Sequence, residues 1–304
     1  MGRLLVLAVI ACAGVTVSTA GSWSNSTPLP EPLQEMNAAT VKGRIYVVGG
    51  INTSNEATKL VYRFDPATGK WERLRDFPDY RHHMPLVVLR DTLYAIGGYT
   101  PPGFTAVRSV LAYDEGRDVW VGRGLLPEPR GASAAAVADG KIVVVGGITT
   151  GNQQTDSIVI FDPAVDYWLH GPPIPTKRDH LIAGAVGSVV FAIGGRNGPN
   201  FDVVEAFDVR TGRWTTRAKM PSTRGGLGGA TLNGLIYTYG GENPGAFANH
   251  ERYDPAADAW TVLPGLPTAR HGLGVTTLDG KIYVIAGGPR AGFAQTDVVE
   301  VYTP

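Results

Sequence analysis

The 304 residues carry 27 basic and 27 acidic side chains, so the formal net charge is zero, and no basic run marks a nucleic-acid or membrane footprint. Length alone permits one or two domains. The single cysteine, Cys12, lies in an apolar N-terminal stretch, which excludes a disulfide framework from the rest of the chain.

That stretch reads as an export signal over residues 1–20. Arg3 gives a minimal basic start, Leu4 to Val17 is largely apolar, and Ser18, Thr19 and Ala20 supply a small-x-small cleavage site before Gly21. The apolar run is too short for a membrane span, so the expectation is a secreted or periplasmic protein with no thiol after cleavage. Val9, Ile10, Ala11 and Cys12 also match a lipoprotein box, and the alternative is a lipid anchor at Cys12. Asn25-Ser26-Thr27 and Asn52-Thr53-Ser54 match the glycosylation pattern, which matters only in a eukaryotic secretory route.

Residues 21–29 read as a strand, and a loop through Pro28, Pro30 and Pro32 follows. Met36 to Val41, a turn at Lys42 and Gly43, Ile45 to Val48, a strand ending near Phe64 and a strand with Trp71 come next. The clearest version of this unit runs from Arg130 to Trp168. A small-residue strand, Ala132 to Val137, reaches a turn at Asp139 and Gly140, where both central residues of a type I′ hairpin need φ > 0. A β-branched run, Ile142 to Val145, ends at Gly146 and Gly147, where glycine permits a conformation or close approach that a Cβ forbids. Ser157 to Phe161 is the third strand, and Asp162 and Pro163 turn the chain into a fourth that carries Trp168. First hairpins elsewhere fall at Arg90 and Asp91, Val186 and Gly187, Asn233 and Gly234, and Asp279 and Gly280. The last unit has Ile282 to Ile285 and a final strand from Val298 to Tyr302.

The unit is a repeat. Glycine pairs begin at Gly49, Gly97, Gly146, Gly194 and Gly240, and in the sixth unit the pair slips to Ala286 and Gly287. All six tryptophans belong to the pattern: Trp23, Trp71, Trp120, Trp168, Trp214 and Trp260. Their spacings of 48, 49, 48, 46 and 46 match the steps between the glycine pairs, and two unrelated markers drifting together define a true repeat. Phe64, Tyr113, Phe161, Phe207 and Tyr253 each precede a tryptophan by seven residues. Tyr302 has no such partner, and Trp23 is the tryptophan left over. The fourth strand of the last unit therefore comes from the N-terminus and closes a ring.

The motif set of hydrophobic run, Gly-Gly, aromatic-Asp and Trp resembles that of the kelch family of β-propellers over essentially the whole chain after residue 21. The resemblance implies an all-β, six-bladed kelch-type β-propeller with four antiparallel strands per blade around a central channel, residues 21–29 completing the last blade. It leaves residues 21–304 as a single domain, without the dimerising or ligase-recruiting module that many kelch proteins carry. Each tryptophan is expected to pack against the neighbouring blade. Inner strands such as Arg224 to Leu232 are rich in glycine and alanine because six of them crowd toward one axis.

Asp-Gly hairpins fall on one face of such a ring, and the loops after Gly-Gly and into each inner strand on the other, where ligands meet convergent side chains. Sixteen residues before the glycine marker stand Arg81, Arg130, Arg178, Arg224 and Arg270, with Leu33 in the first unit. They are expected to ring the channel mouth, either bracing loop carbonyls or binding a carboxylate or other anion. The residues after the glycine pairs vary, as a pocket on a repeated scaffold requires: Ile51, Tyr99, Ile148, Arg196, Glu242 and Pro289. Of these Tyr99, Arg196 and Glu242 are candidate ligand contacts, and Glu242 is a candidate general acid or base, or a plain ion-pair partner. His82, His83, His180 and His271 stand at the starts of inner strands, on alternating units and opposite strand faces, so no metal site is expected from them.

Three enzyme families on related propellers bear on the chemistry. Copper-radical galactose oxidases need a cysteine crosslinked to tyrosine, and the mature chain has none. Plant specifier proteins use a Glu-x3-Asp-x3-His run, which is absent. The periplasmic sialic acid mutarotase has a Gly-Glu loop that "GGENPGAF", Gly240 to Phe247, resembles, with Glu242 at the matching position and Ala248 where that family has an arginine.

Two readings stand. One is an exported, monomeric binding module without a cofactor, presenting the arginine-lined mouth to a protein loop, peptide or glycan. The other is a sugar-active mutarotase or epimerase using Glu242.

Overall fold

The computed structural model describes residues 21–304. The export signal and the lipid-anchor position Cys12 lie outside the described residues. Apart from a short 3-10 turn at Thr150–Asn152, all regular structure in the described residues is strand.

Six antiparallel sheets follow one another as blades. Blade 1 is Asn37–Val41, Arg44–Val48, Val61–Asp65 and Lys70–Arg73. Blade 2 is Leu86–Leu89, Thr92–Ile96, Thr105–Asp114 and Val119–Arg130. Blade 3 is Ala134–Ala138, Lys141–Val145, Ile158–Asp162 and Tyr167–Gly171. Blade 4 is Ile182–Val186, Val189–Ile193, Val204–Asp208 and Arg213–Thr216. Blade 5 is Gly228–Leu232, Leu235–Tyr239, His250–Asp254 and Ala259–Val262. Blade 6 is Gly274–Leu278, Lys281–Gly287 and Thr296–Thr303, completed by Ser22–Asn25 paired antiparallel to the last of these. Each inner strand packs on the next, and the sixth returns to the first, which closes the ring. The inner strand of blade 3 begins at Ala134 and not at Ala132, because Ala132 is in the left-handed region (φ 49°).

The first hairpins follow the sequence pattern, with one shift. Asp139 and Gly140 have φ of 49° and 71°, as a type I′ turn requires. In blade 4 Val186 pairs with Val189, so the central residues are Gly187 and Ser188, and only Gly187 has positive φ.

The core is divided among the six seams. One cluster joins Val41, Tyr46 and Val48 of blade 1 to Leu86, Leu93 and Trp120 of blade 2, and five others join the remaining neighbours. The aromatic residue seven before each tryptophan is its direct cross-strand partner, as in Phe64 opposite Trp71 and Phe207 opposite Trp214, with ring centres 5.0 and 5.1 Å apart. Four indole N–H groups, from Trp23, Trp71, Trp214 and Trp260, donate to the carbonyls of Pro264, Thr27, Pro172 and Ala218, just past the fourth strand of the preceding blade. Near the axis space is tight: a Cβ on Gly229 would lie 2.2 Å from Ile182 Cδ1, so that side chain would have to move.

Candidate functional site

The five arginines do not face the channel. Each is only 0 to 1% exposed, and its guanidinium lies inside its own blade. There it donates to the carbonyl at the first position of the glycine pair, Gly97, Gly146, Gly194, Gly240 or Ala286, at 2.5 to 3.0 Å. An acid completes each set: Asp79, Glu128, Glu205, Glu251 or Glu300, at 2.5 to 3.0 Å. The carbonyl of each arginine accepts the N–H of the second glycine of the preceding blade, at 2.6 to 2.9 Å, and Leu33 does the same for Gly287. At five seams this closeness favours glycine at the first position, since a Cβ there would lie 2.0 to 2.8 Å from the same carbonyl, while the sixth seam accommodates Ala286. Of the two expectations for Arg81, Arg130, Arg178, Arg224 and Arg270, the buried geometry matches bracing, and the anion-binding mouth is corrected: each side chain braces the inside of its own blade, its main-chain carbonyl latches that blade to the one before, and none is exposed toward a ligand.

Two residues beyond each arginine lies the neck of the channel. Glu35, His83, Ala132, His180, Gly226 and Gly272 all have φ between 49° and 65°. Their amides form a closed circle: Glu35 donates to Gly272, Gly272 to Gly226, Gly226 to His180, His180 to Ala132, Ala132 to His83, and His83 to Glu35, at 2.7 to 3.2 Å. Every backbone polar group turned inward here thus has a partner. These residues border a cavity of about 190 Å³ whose deeper wall is made by inner-strand residues such as Ala134, Ile182 and Gly229.

The side chains of the neck make one network. Glu35 takes His83 Nε2 at 3.1 Å and approaches His271 Nδ1 at 3.4 Å. His271 Nδ1 also lies 3.5 Å from Glu242 Oε2, and its Nε2 bonds the Arg290 carbonyl at 2.9 Å. Glu242 Oε1 accepts from Arg196 at 2.8 Å, and its other oxygen accepts the Gly292 N–H at 3.2 Å. Arg196 reaches Asp179 at 3.6 Å, and Asp179 bonds His180 and Gln154. Burial disfavours the Glu35 carboxylate, yet His83 and His271 outweigh it and hold the carboxyl well below its usual range. Burial also opposes protonation of His271, but Glu35 and Glu242 raise it above its ordinary value. His83 is held well below its ordinary value by burial, so the ion pair is Glu35 with His271, and His83 is a neutral donor to Glu35.

The histidines therefore converge despite standing on alternating blades; the His83 and His180 ring centres are 5.1 Å apart. Among the described residues no group of three or more His, Cys, Asp or Glu has the geometry to hold a metal ion.

The variable position after each glycine pair forms a short bridge with the residue after each arginine: Ile51 with Gln34, Tyr99 with His82, Ile148 with Gly131, Arg196 with Asp179, Glu242 with Gly225 and Gly288 with His271. The sixth member is thus Gly288, not Pro289. Ile51, Tyr99 and Ile148 are buried, and Tyr99 is only 2% exposed beneath Phe104, so it supports the surface without reaching it. Glu242 faces Arg196 and His271, not the buried arginine column. With one oxygen on a guanidinium and the other on an amide, it is an ion-pair partner at the inner wall.

Beside the neck, on the same face, lies a cleft of about 440 Å³ built from loops of blades 1, 2 and 6. Three half-exposed aromatic side chains, Tyr80, Phe104 and Phe293, share it with Ile51, Glu56 and His82. Phe104 stacks edge-on against His82, with ring centres 4.8 Å apart. Sequence reasoning missed both Glu35 and this cleft. Glu35 is found by counting two past Leu33, as His83 is two past Arg81. The cleft aromatics have no shared repeat position.

A family model described as the KLHDC2/KLHL20/DRC7 Kelch-repeats domain matches residues 15–173 and 85–288. Kelch-like protein 35 of Mus musculus is 33% identical over 142 residues, 47% of this chain and 24% of that protein. Alpha-scruin of Limulus polyphemus is 31% identical over 183 residues, 57% of this chain and 20% of that protein. Kelch-like protein terF of Aspergillus terreus is 29% identical over 188 residues, 58% and 41% of the two chains. The chain thus spans less than half the length of these relatives. A solved structure, "Structure of YjhT", superposes with a TM-score of 0.77 at 17% identity, over 92% of this chain and all of that one, a likeness of fold alone.

Proposed function

The chain belongs to the kelch-repeat family, and from that premise we propose that it is an exported, monomeric binding module that takes a segment of a partner protein on the channel face. One observation carries the reading: the charged groups of the neck are committed to one another, while Tyr80, Phe104 and Phe293 stand half-exposed around a cleft on the same face. Exposed aromatic side chains gathered at one concave place supply binding area at low entropic cost. Glu242, tied to Arg196 and the Gly292 amide, serves the wall of the site.

Peptide display on the full chain tests this. Selected peptides should lose binding to Phe104→Ala and keep binding to Glu242→Ala within a few fold. Accelerated anomer exchange of a sugar acid, followed by proton NMR and abolished in Glu242→Ala, would overturn it in favour of a mutarotase-like enzyme. Export through residues 1–20 is part of the proposal: the intact mass of the exported protein should begin at Gly21, and a diacylglyceryl mass on Cys12 would make it an anchored lipoprotein instead.

A further inference from the structure

The polar groups of the aromatic cleft are unusually one-sided. Its lining holds one carboxylate, Glu56, and no lysine or arginine. At its floor lies His82, 3% exposed, and the protonation of that ring follows from a chain of contacts. The Glu35 carboxylate only accepts, so His83 Nε2, 3.1 Å away, carries the proton. His83 Nδ1 must then accept from His82 Nδ1, 2.5 Å away. His82 Nε2 is left as a lone pair with no protein partner among the described residues. Burial keeps His82 neutral, with its pKa pushed down to about 4.

The cleft therefore offers an unpartnered acceptor, an exposed carboxylate and the rings of Tyr80, Phe104 and Phe293. Asn55 supplies the one amide donor, its oxygen being taken by Gln295 at 3.2 Å. An acidic side chain would meet like charge and few donors here. A group with only donors, a positive charge and an apolar stem meets a partner at every wall. Tyr80 already shows the contact internally: Lys59 Nζ lies over its ring, 4.8 Å from the centre, while bonded to the Pro78 carbonyl.

We infer that the cleft between blades 1, 2 and 6 takes a basic side chain, arginine or lysine, from the partner's segment. The inference rests on the protein-binding reading above and gives it a chemical signature. It assigns Glu56 and His82 as acceptors and the three aromatic residues as the cage around the cation.

The test is saturation-transfer NMR on the full chain with four probes: N-acetyl-arginine methylamide, N-acetyl-norleucine methylamide, N-acetyl-aspartate methylamide and methyl β-glucoside. The arginine probe should give the strongest transfer, with affinity falling about tenfold in Phe104→Ala and in Glu56→Lys. Glu56 is exposed, so Glu56→Lys should keep the wild-type thermal midpoint, whereas Phe104→Ala also uncovers Tyr99 and should lower it slightly; either variant suffices if the other fails to fold. Equal or stronger transfer to the norleucine, aspartate or glucoside probe overturns the inference, as does an arginine signal that is absent or unchanged in both variants. Peptides selected by display that carry no basic residue and bind Glu56→Lys equally well would remove this inference and leave the protein-binding reading standing. Failure of all peptides would remove both.

Discussion

The arginine column and the column two residues beyond it run through the same loops and end in opposite roles. Arg81, Arg130, Arg178, Arg224 and Arg270 repeat one side chain and hide it, each tying the carbonyl of a glycine, or of Ala286 at the sixth blade, to an acid inside a blade. Glu35, His83, Ala132, His180, Gly226 and Gly272 repeat one backbone conformation and vary the side chain. The first column keeps chemistry constant because a buried guanidinium needs the same partners at every seam. The second keeps only its geometry constant, which frees side chains for the channel. In this repeated scaffold, sameness marks architecture, and a fixed backbone with varied side chains marks where one blade can differ from the next.

The largest test breaks the first column. Arg224→Ala leaves Glu251, 1% exposed, buried without its guanidinium, and should cost about 3 to 5 kcal/mol in urea unfolding. A loss below about 1 kcal/mol would mean that the latch is not architecture. Next comes Gly240→Ala. A Cβ there would lie 2.0 Å from the Arg270 carbonyl at a φ of 61°, and the expected loss in the same assay is at least about 2 kcal/mol. Ala286 holds the equivalent place at the sixth seam with φ 50°, so Ala286→Gly should be neutral or stabilising.

The second column should answer to pH instead. His271 is raised above 6.5 by Glu35 and Glu242 against the effect of burial, so its stabilisation is fully present below pH 6.5 and is lost as pH rises through the folded value. The stability difference between wild type and His271→Gln should therefore shrink with rising pH. Glu35 is shifted the other way: its contribution is present above 4.5 and fades only as pH falls through the depressed folded value. In Glu35→Gln the His271 titration midpoint, read by NMR, should move down; an unmoved midpoint would sever the proposed pair. The smallest effect belongs to the cleft. Phe293→Ser, at a side chain 54% exposed, should change stability by no more than about 0.5 kcal/mol while weakening peptide binding.

This contrast also explains what could be read beforehand. The glycine pairs, the tryptophans and their aromatic partners recur at fixed spacing because each serves an identical seam, so blade number and ring closure were legible. The arginines were legible as a column, but their direction was not, since burial inside a blade depends on acids such as Glu251, 27 residues away in sequence. Glu35 was hidden because Leu33 replaces the arginine that marks its position elsewhere. The convergence of His83, His180 and His271 escaped a strand-alternation argument, because positive φ at His83 and His180 breaks the alternation. Tyr80, Phe104 and Phe293 come from loops of three blades, and only the ring brings them together.

The circle of six amides at the neck has an electrostatic consequence. In a helix, peptide dipoles add along an axis and leave a partial charge at each end. Here the six bonds follow one another head to tail around a closed path, so their components in the plane of the circle cancel and no N–H or C=O of the circle is left open to the channel. The main chain fixes the aperture and offers an entering group no unpaired donor or acceptor of its own. Hydrogen bonds inside the neck are therefore left to side chains, and exchanging one of them changes what can be held without opening the circle.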